Sequence, residues 1–72
     1  MIKFKNCKTV IVDTLTMCIT YEKVESIKII EGKQLLKEGF EYANYNNVYY
    51  RLNFEDGSVA TFNTMFTHIE VL

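Results

Sequence analysis

The sequence predicts an all-β or mostly β fold, because its clearest local signal is one β-hairpin. Residues 48–54 and 58–62 are rich in β-branched and aromatic side chains, and they flank the turn sequence Glu55-Asp56-Gly57. A second run, over residues 14–21, carries apolar side chains at every other position. That spacing is the period of a strand with one buried face.

The apolar pattern also selects the register of this hairpin. A three-residue loop pairs Leu52 with Ala60 and Tyr50 with Phe62, which puts the apolar side chains on one face. A two-residue loop would move Phe62 to the polar face, since a slip of one residue turns every side chain over. The three-residue loop also places Gly57 where this type of turn requires a positive φ.

Shorter patterns define the other strands. Residues 9–12 form a compact β-branched run, which is typical of a buried strand. Residues 13 and 14 are expected to form a tight turn before the alternating run, and Ile27 and Ile29 are expected to point inward from a later strand. Outside the hairpin, strand-like runs occur at residues 2–5, 9–12, 14–21, 26–30 and 68–72.

Residues 33–39 are the one helix-like stretch, because they combine good helix formers with a glycine that can end the helix. A helix of about two turns is marginal without packing. We therefore expect Leu35, Leu36 and Phe40 to dock on the sheet.

Five to six short strands favour a small antiparallel barrel or a strongly bent sheet, and an SH3-like barrel is the first choice. Closure of this kind removes exposed strand edges. The alternative is an open sheet with residues 33–39 laid across it, whose free edge could pair with a second copy to give a homodimer. The chain contains no proline, repeat or linker, so we predict a single domain over residues 1–72.

Composition points to a cytoplasmic protein. The net charge is −1 and the pI about 5.7, which gives no overall attraction to nucleic acid. The N-terminus shows no secretory signal, and every apolar run is shorter than the roughly 18 residues that a membrane span requires. Cys7 and Cys18 match no zinc or redox spacing, so we expect reduced thiols, unless their strands pair closely enough for a disulfide.

The chemistry-bearing residues do not form a recognisable active site. His68 is the one histidine and lies in an alternating strand, while the three glycines are isolated rather than gathered in a phosphate-binding loop. Two cysteines and one histidine are too few for an ordinary zinc site. We expect a protein that is not an enzyme, with no catalytic residues, no metal and no cofactor.

A cluster of tyrosines is the strongest candidate for a partner-binding site. Four tyrosines lie within nine residues and Arg51 follows them. In the predicted register Tyr49 and Arg51 face away from the core. Exposed tyrosine and arginine are enriched in protein-binding hot spots, and they also suit stacking on single-stranded bases. The alternative is that the rings are buried at the sheet edge. The candidate residues are Tyr42, Tyr45, Tyr49 and Arg51.

The small size, single domain and lack of an active site resemble, loosely, the accessory proteins and inhibitors that phages and mobile elements encode. That resemblance implies a non-enzymatic β-domain that acts by contact with a protein partner. The short apolar runs predict no membrane, and a free sheet edge leaves a homo-oligomer as an option. A single-strand nucleic-acid-binding small barrel is a less favoured alternative. A subunit that only self-assembles is the third.

Overall fold

Five strands and two short helices make up the fold in a computed structural model that describes residues 2–72. Met1, the first residue of the predicted domain, lies outside the described residues. In chain order the elements are β1 (Ile2–Thr14), β2 (Cys18–Glu31), α1 (Gly32–Lys37), β3 (Val48–Phe54), β4 (Val59–Asn63), a 3₁₀ helix (Thr64–Phe66) and β5 (Thr67–Val71).

All five strands join one antiparallel sheet in the order β4-β3-β2-β1-β5. The predicted mostly β class, the antiparallel pairing and the one short helix are confirmed. Closure into a barrel is not complete, because β4 and β5 are the two edges of the sheet and share no ladder. None of the helices within residues 2–72 is long and apolar enough to cross a membrane.

The connection between β4 and β5 forces this sheet to bend. In a flat sheet, four strand spacings of about 4.8 Å would separate the two edges by roughly 19 Å. The short 3₁₀ helix joins Asn63 to Thr67, and four peptide units span at most about 15 Å. The edges therefore curl toward each other without pairing.

The hairpin of β3 and β4 has the predicted register. Tyr50 lies opposite Phe62, and Leu52 lies opposite Ala60. The Phe54 amide donates to the Ser58 carbonyl at 2.9 Å, which closes the three-residue loop, and Gly57 has a φ of +89°.

The first two strands are longer than predicted. Residues 2–5 and 9–12 belong to the single strand β1, and residues 26–30 continue the strand that begins at Cys18. Sequence periodicity breaks in the middle of β1 because its register against β2 shifts between Lys3 and Lys8. The predicted turn at residues 13 and 14 lies later: the Thr14 amide donates to the Met17 carbonyl at 2.8 Å, so Leu15 falls in an exposed turn rather than a strand.

The main core lies on the concave face of the sheet. Strands β1, β2 and β3 supply its centre, and side chains from the two edge strands pack against that centre, including Phe62 from β4 and Ile69 from β5. Ile27 is buried there, and Ile29 lies on the same inner face opposite Tyr50, as predicted, but it is 57% exposed. The fully enclosed centre of the core consists of Val10, Val12, Val24, Ile27 and Leu52.

Candidate functional site

Residues 32–47, here called the cover segment, lie against the convex face of β3. This segment contains α1 and the loop that leads into β3. Leu35 is only 1% exposed, and it lines a shallow cavity together with Tyr49 and Thr61 of the neighbouring strands. Helix α1 covers residues 32–37, close to the predicted 33–39, but Leu36 and Phe40 remain partly exposed. Leu35 alone of the three predicted apolar anchors is buried.

Gly32 lets the two ends of the cover segment meet. Its amide donates to the Asn47 carbonyl at 2.7 Å, which ties the start of α1 to the end of the loop. A β-carbon added at Gly32 would overlap the carbonyl oxygen of Asn44. The close approach of these backbones is what requires glycine at this position.

Tyr49 anchors the loop of the cover segment. It lies on the convex face, as predicted, but the loop covers it and leaves it half-buried. Its hydroxyl accepts a hydrogen bond from the Asn44 amide at 2.7 Å. The ring therefore holds the loop in place and offers little free surface of its own.

Arg51 anchors the residue that follows α1. Its guanidinium Nη2 lies 2.7 Å from Glu38 Oε1, and its side chain is only 14% exposed. The hydrogen bond from Arg51 holds the pKa of the Glu38 carboxyl below its usual value. The charge of Arg51 is thus already paired within the chain.

Tyr42 and Tyr45 are the two candidates that remain at the surface. Tyr42 is fully exposed and Tyr45 is 63% exposed. Tyr42 and the partly exposed Phe40 border the cavity of about 160 Å³ above Tyr49, whereas Tyr45 is not part of its lining. Phe40, Tyr42 and Tyr45 are called the aromatic patch below. The structure thus separates the four predicted residues into a surface pair and an anchoring pair.

Phe40 is a patch residue that the sequence assigned to the core. Gly39 could have indicated in the sequence that Phe40 is not part of the core. Its φ of +96° ends α1 and turns the chain before Phe40 can follow the helix onto the sheet. A glycine that directly precedes an aromatic residue marks that break in direction.

Residues of the types that bind metals are dispersed over the described part of the chain. Within the described part of the chain no group of three or more His, Cys, Asp or Glu residues could hold a metal ion. Cys7 and Cys18 are exposed free thiols. Cys18 lies opposite Asp13, and roughly 20 Å of strand separates Asp13 from Cys7, whereas a disulfide requires Cα atoms within about 7 Å.

Comparisons with protein-family models, with curated proteins and with solved structures each gave no match.

Proposed function

We propose that this protein is a non-enzymatic domain that acts by contact with a protein partner, and that the aromatic patch makes the contact. The observation that carries the proposal is Tyr42, a large aromatic side chain that is fully exposed beside Phe40 and close in sequence to Tyr45. Tyrosines supply much of the binding energy in protein interfaces when a partner buries their rings.

The anchors of the cover segment support this proposal. Tyr49 binds the backbone of Asn44, Arg51 binds Glu38, and Gly32 binds Asn47. A loop fixed in this way loses little conformational freedom when a partner binds, so more of the contact energy appears as affinity. Tyr49 and Arg51 are accordingly positioning residues, and Tyr42 and Tyr45 are contact residues.

We further propose a cytoplasmic location, because the two exposed cysteines are free thiols, as is usual in reducing compartments. An accessory or inhibitor role of the kind found in phages and mobile elements fits a small domain of this type.

The test is a pull-down from an extract of the source cell with tagged protein, repeated after nuclease treatment. The variant replaces Tyr42 and Tyr45 by serine, and a control replaces the exposed Leu15 and Met17 by serine. We expect wild type and control to retain one stoichiometric protein that the tyrosine variant loses. All three proteins should have similar Tm values, because the replaced side chains are exposed.

Three results would contradict the proposal. Retention of the same partner by the tyrosine variant would show that the aromatic patch does not make the contact. Loss of all captured material after nuclease treatment would favour the hypothesis that the protein binds single-stranded nucleic acid. Recovery of the tagged chain with untagged copies of itself alone would favour self-assembly, for which the unpaired edges of β4 and β5 provide sites.

A further inference from the structure

A second surface feature is a groove of about 640 Å³ between the bend of β2 and the β3–β4 turn. The register of β2 against β3 creates it, because Val24 lies opposite Phe54. The Glu55 amide donates to the Lys23 carbonyl at 3.0 Å, which joins the two walls. Two segments more than 30 residues apart in sequence therefore form one site, which we call the acidic groove.

Aromatic rings form the apolar part of the acidic groove. Tyr21 and Phe54 both line it, with ring centroids 5.4 Å apart and planes inclined at 49°. Phe62 packs against Tyr21, with ring centroids 5.9 Å apart. Tyr21 and Phe54 are half-buried, so they present ring surface at fixed positions.

The rim of the groove is negatively charged. Glu22, Glu55 and Asp56 line it and are exposed, against a single cation, Lys23. The ion pairs found in residues 2–72 include none of these four side chains. The Ser58 hydroxyl and amide both donate to Asp56, at 2.6 and 2.9 Å, and they lower the pKa of its carboxyl. The rim therefore carries an excess of negative charge at neutral pH.

The backbone at the rim is strained. Lys23 has a φ of +59°, and it is the one non-glycine residue with a positive φ in the described chain. Such a conformation is uncommon for a lysine, and strained residues of this kind concentrate at ligand sites.

We propose that the acidic groove binds a basic segment of a protein partner, with an arginine side chain stacked on Tyr21 and Phe54 and its guanidinium paired with Glu22 and Glu55. Two features of the groove select this ligand. Aromatic rings attract a cation placed over their faces, and the flat guanidinium both stacks on rings and forms forked hydrogen bonds to carboxylates. An acidic or apolar segment would leave the carboxylates unpaired.

This groove is separate from the aromatic patch. Phe54 and Tyr49 lie five residues apart on β3, which is roughly 17 Å, and successive side chains of a strand alternate between its faces. The inference goes beyond the proposed function, and either site can fail its test while the other stands.

The test is a titration of the ¹⁵N-labelled protein, followed by NMR, with a capped peptide that carries two arginines separated by glycines. The same peptide with glutamates in place of the arginines is the control ligand. We expect saturable shifts of the amides at residues 21–23 and 54–58 with the arginine peptide alone.

Variants that remove either negative or positive charge from the rim should change the affinity in opposite directions. The double variant Glu22→Gln and Glu55→Gln should weaken binding about fivefold, as expected for two exposed ion pairs. Lys23→Asn should strengthen binding, because it removes the cation while asparagine tolerates a positive φ. The double variant Glu41→Gln and Glu70→Gln makes the same change in net charge outside the groove, and we expect near wild-type affinity.

Several results would overturn the inference. These are the absence of saturable shifts with the arginine peptide, shifts that map outside the groove, or equal binding of the glutamate peptide. Equal loss of affinity in the Glu22/Glu55 and Glu41/Glu70 variants would likewise show that binding depends on net charge alone, and it would rule out a specific site.

Discussion

The guanidinium of Arg51 binds the carboxylate of Glu38 at 2.7 Å, and this pair joins β3 to the residue that follows α1. Arg51 is largely buried by the contact, while Glu38 keeps a third of its side chain exposed. The cover segment is thus fixed by a charged contact at its helical end and by the Tyr49 hydroxyl at its loop. Each of these contacts can be removed separately.

Replacing Glu38 by glutamine should lower the Tm at neutral pH, because it leaves the largely buried Arg51 side chain without its countercharge. The pKa of Glu38 is lowered in the folded protein, so its contribution is complete above the unfolded-state pKa of about 4.3 and is lost as the pH falls through the folded-state value. Thermal melts from pH 7 to pH 2 should show the two proteins converging below about pH 4.

The matched control for this experiment is Glu41→Gln, since Glu41 is exposed and forms no ion pair in the described structure. Its Tm should follow that of the wild type at every pH. A constant difference between wild type and Glu38→Gln down to pH 2 would show that charge pairing is not its cause.

Replacing Tyr49 by phenylalanine should lower the free energy of unfolding by about 1 kcal/mol, because the Asn44 amide loses its acceptor. Urea denaturation measures this change, and hydrogen exchange of the Asn44 amide should become faster. Tyr42→Phe is the control, because the Tyr42 side chain is fully exposed. Equal stability of the two variants would mean that the Tyr49 hydroxyl does not hold the loop.

Replacing Gly32 by alanine should destabilise the fold by about 1–3 kcal/mol, as expected when a methyl group is forced into a filled space. The added carbon overlaps the Asn44 carbonyl, so amide shifts at Asn44 and Asn47 should accompany the loss. Gly39→Ala meets open space but has an unfavourable φ, so it should lower stability without disturbing the Asn44 amide. An unchanged Asn44 signal in Gly32→Ala would refute the predicted overlap.

Both cysteines should react quickly with a thiol reagent in the native protein. Cys7 and Cys18 are exposed and free, so titration without denaturant should release two equivalents of chromophore. Single variants Cys7→Ser and Cys18→Ser should each release one. Release that requires denaturant would contradict the exposed positions, and no release without a reductant would indicate oxidised thiols.

Sequence patterns predicted local structure better than long-range geometry. The hairpin register followed from Leu52, Tyr50 and Gly57, because turn chemistry and alternation act within a few residues. The length of β1 did not follow, since its register shift after Lys3 interrupts the alternation that marks a strand. Leu15 was wrongly predicted to lie in a strand for the opposite reason, because it continues an apolar alternation into a turn. The Thr14 hydroxyl determines the geometry of that turn by accepting a hydrogen bond from the Met17 amide.

The candidate site was predicted in part for the same reason. Alternation placed Tyr49 and Arg51 on the face away from the core, and the structure agrees. Glu38 and Asn44 return to cover that face because of the path that the cover segment takes. No residue pattern in the sequence encodes this path. The acidic groove was not predicted at all, because Tyr21 and Glu55 become neighbours only through the pairing of β2 with β3.

The position of β5 has a consequence for synthesis on the ribosome. The second partner of β1 comes from the far end of the described chain, where Val71 lies opposite Val10. After β2 is complete at Glu31, translation at about 5–20 residues per second takes on the order of 2–8 s to cover the roughly 40 residues to Val71. During that interval the nascent chain carries an unpaired strand edge along β1, and the β1–β2 hairpin must remain soluble before the sheet is complete.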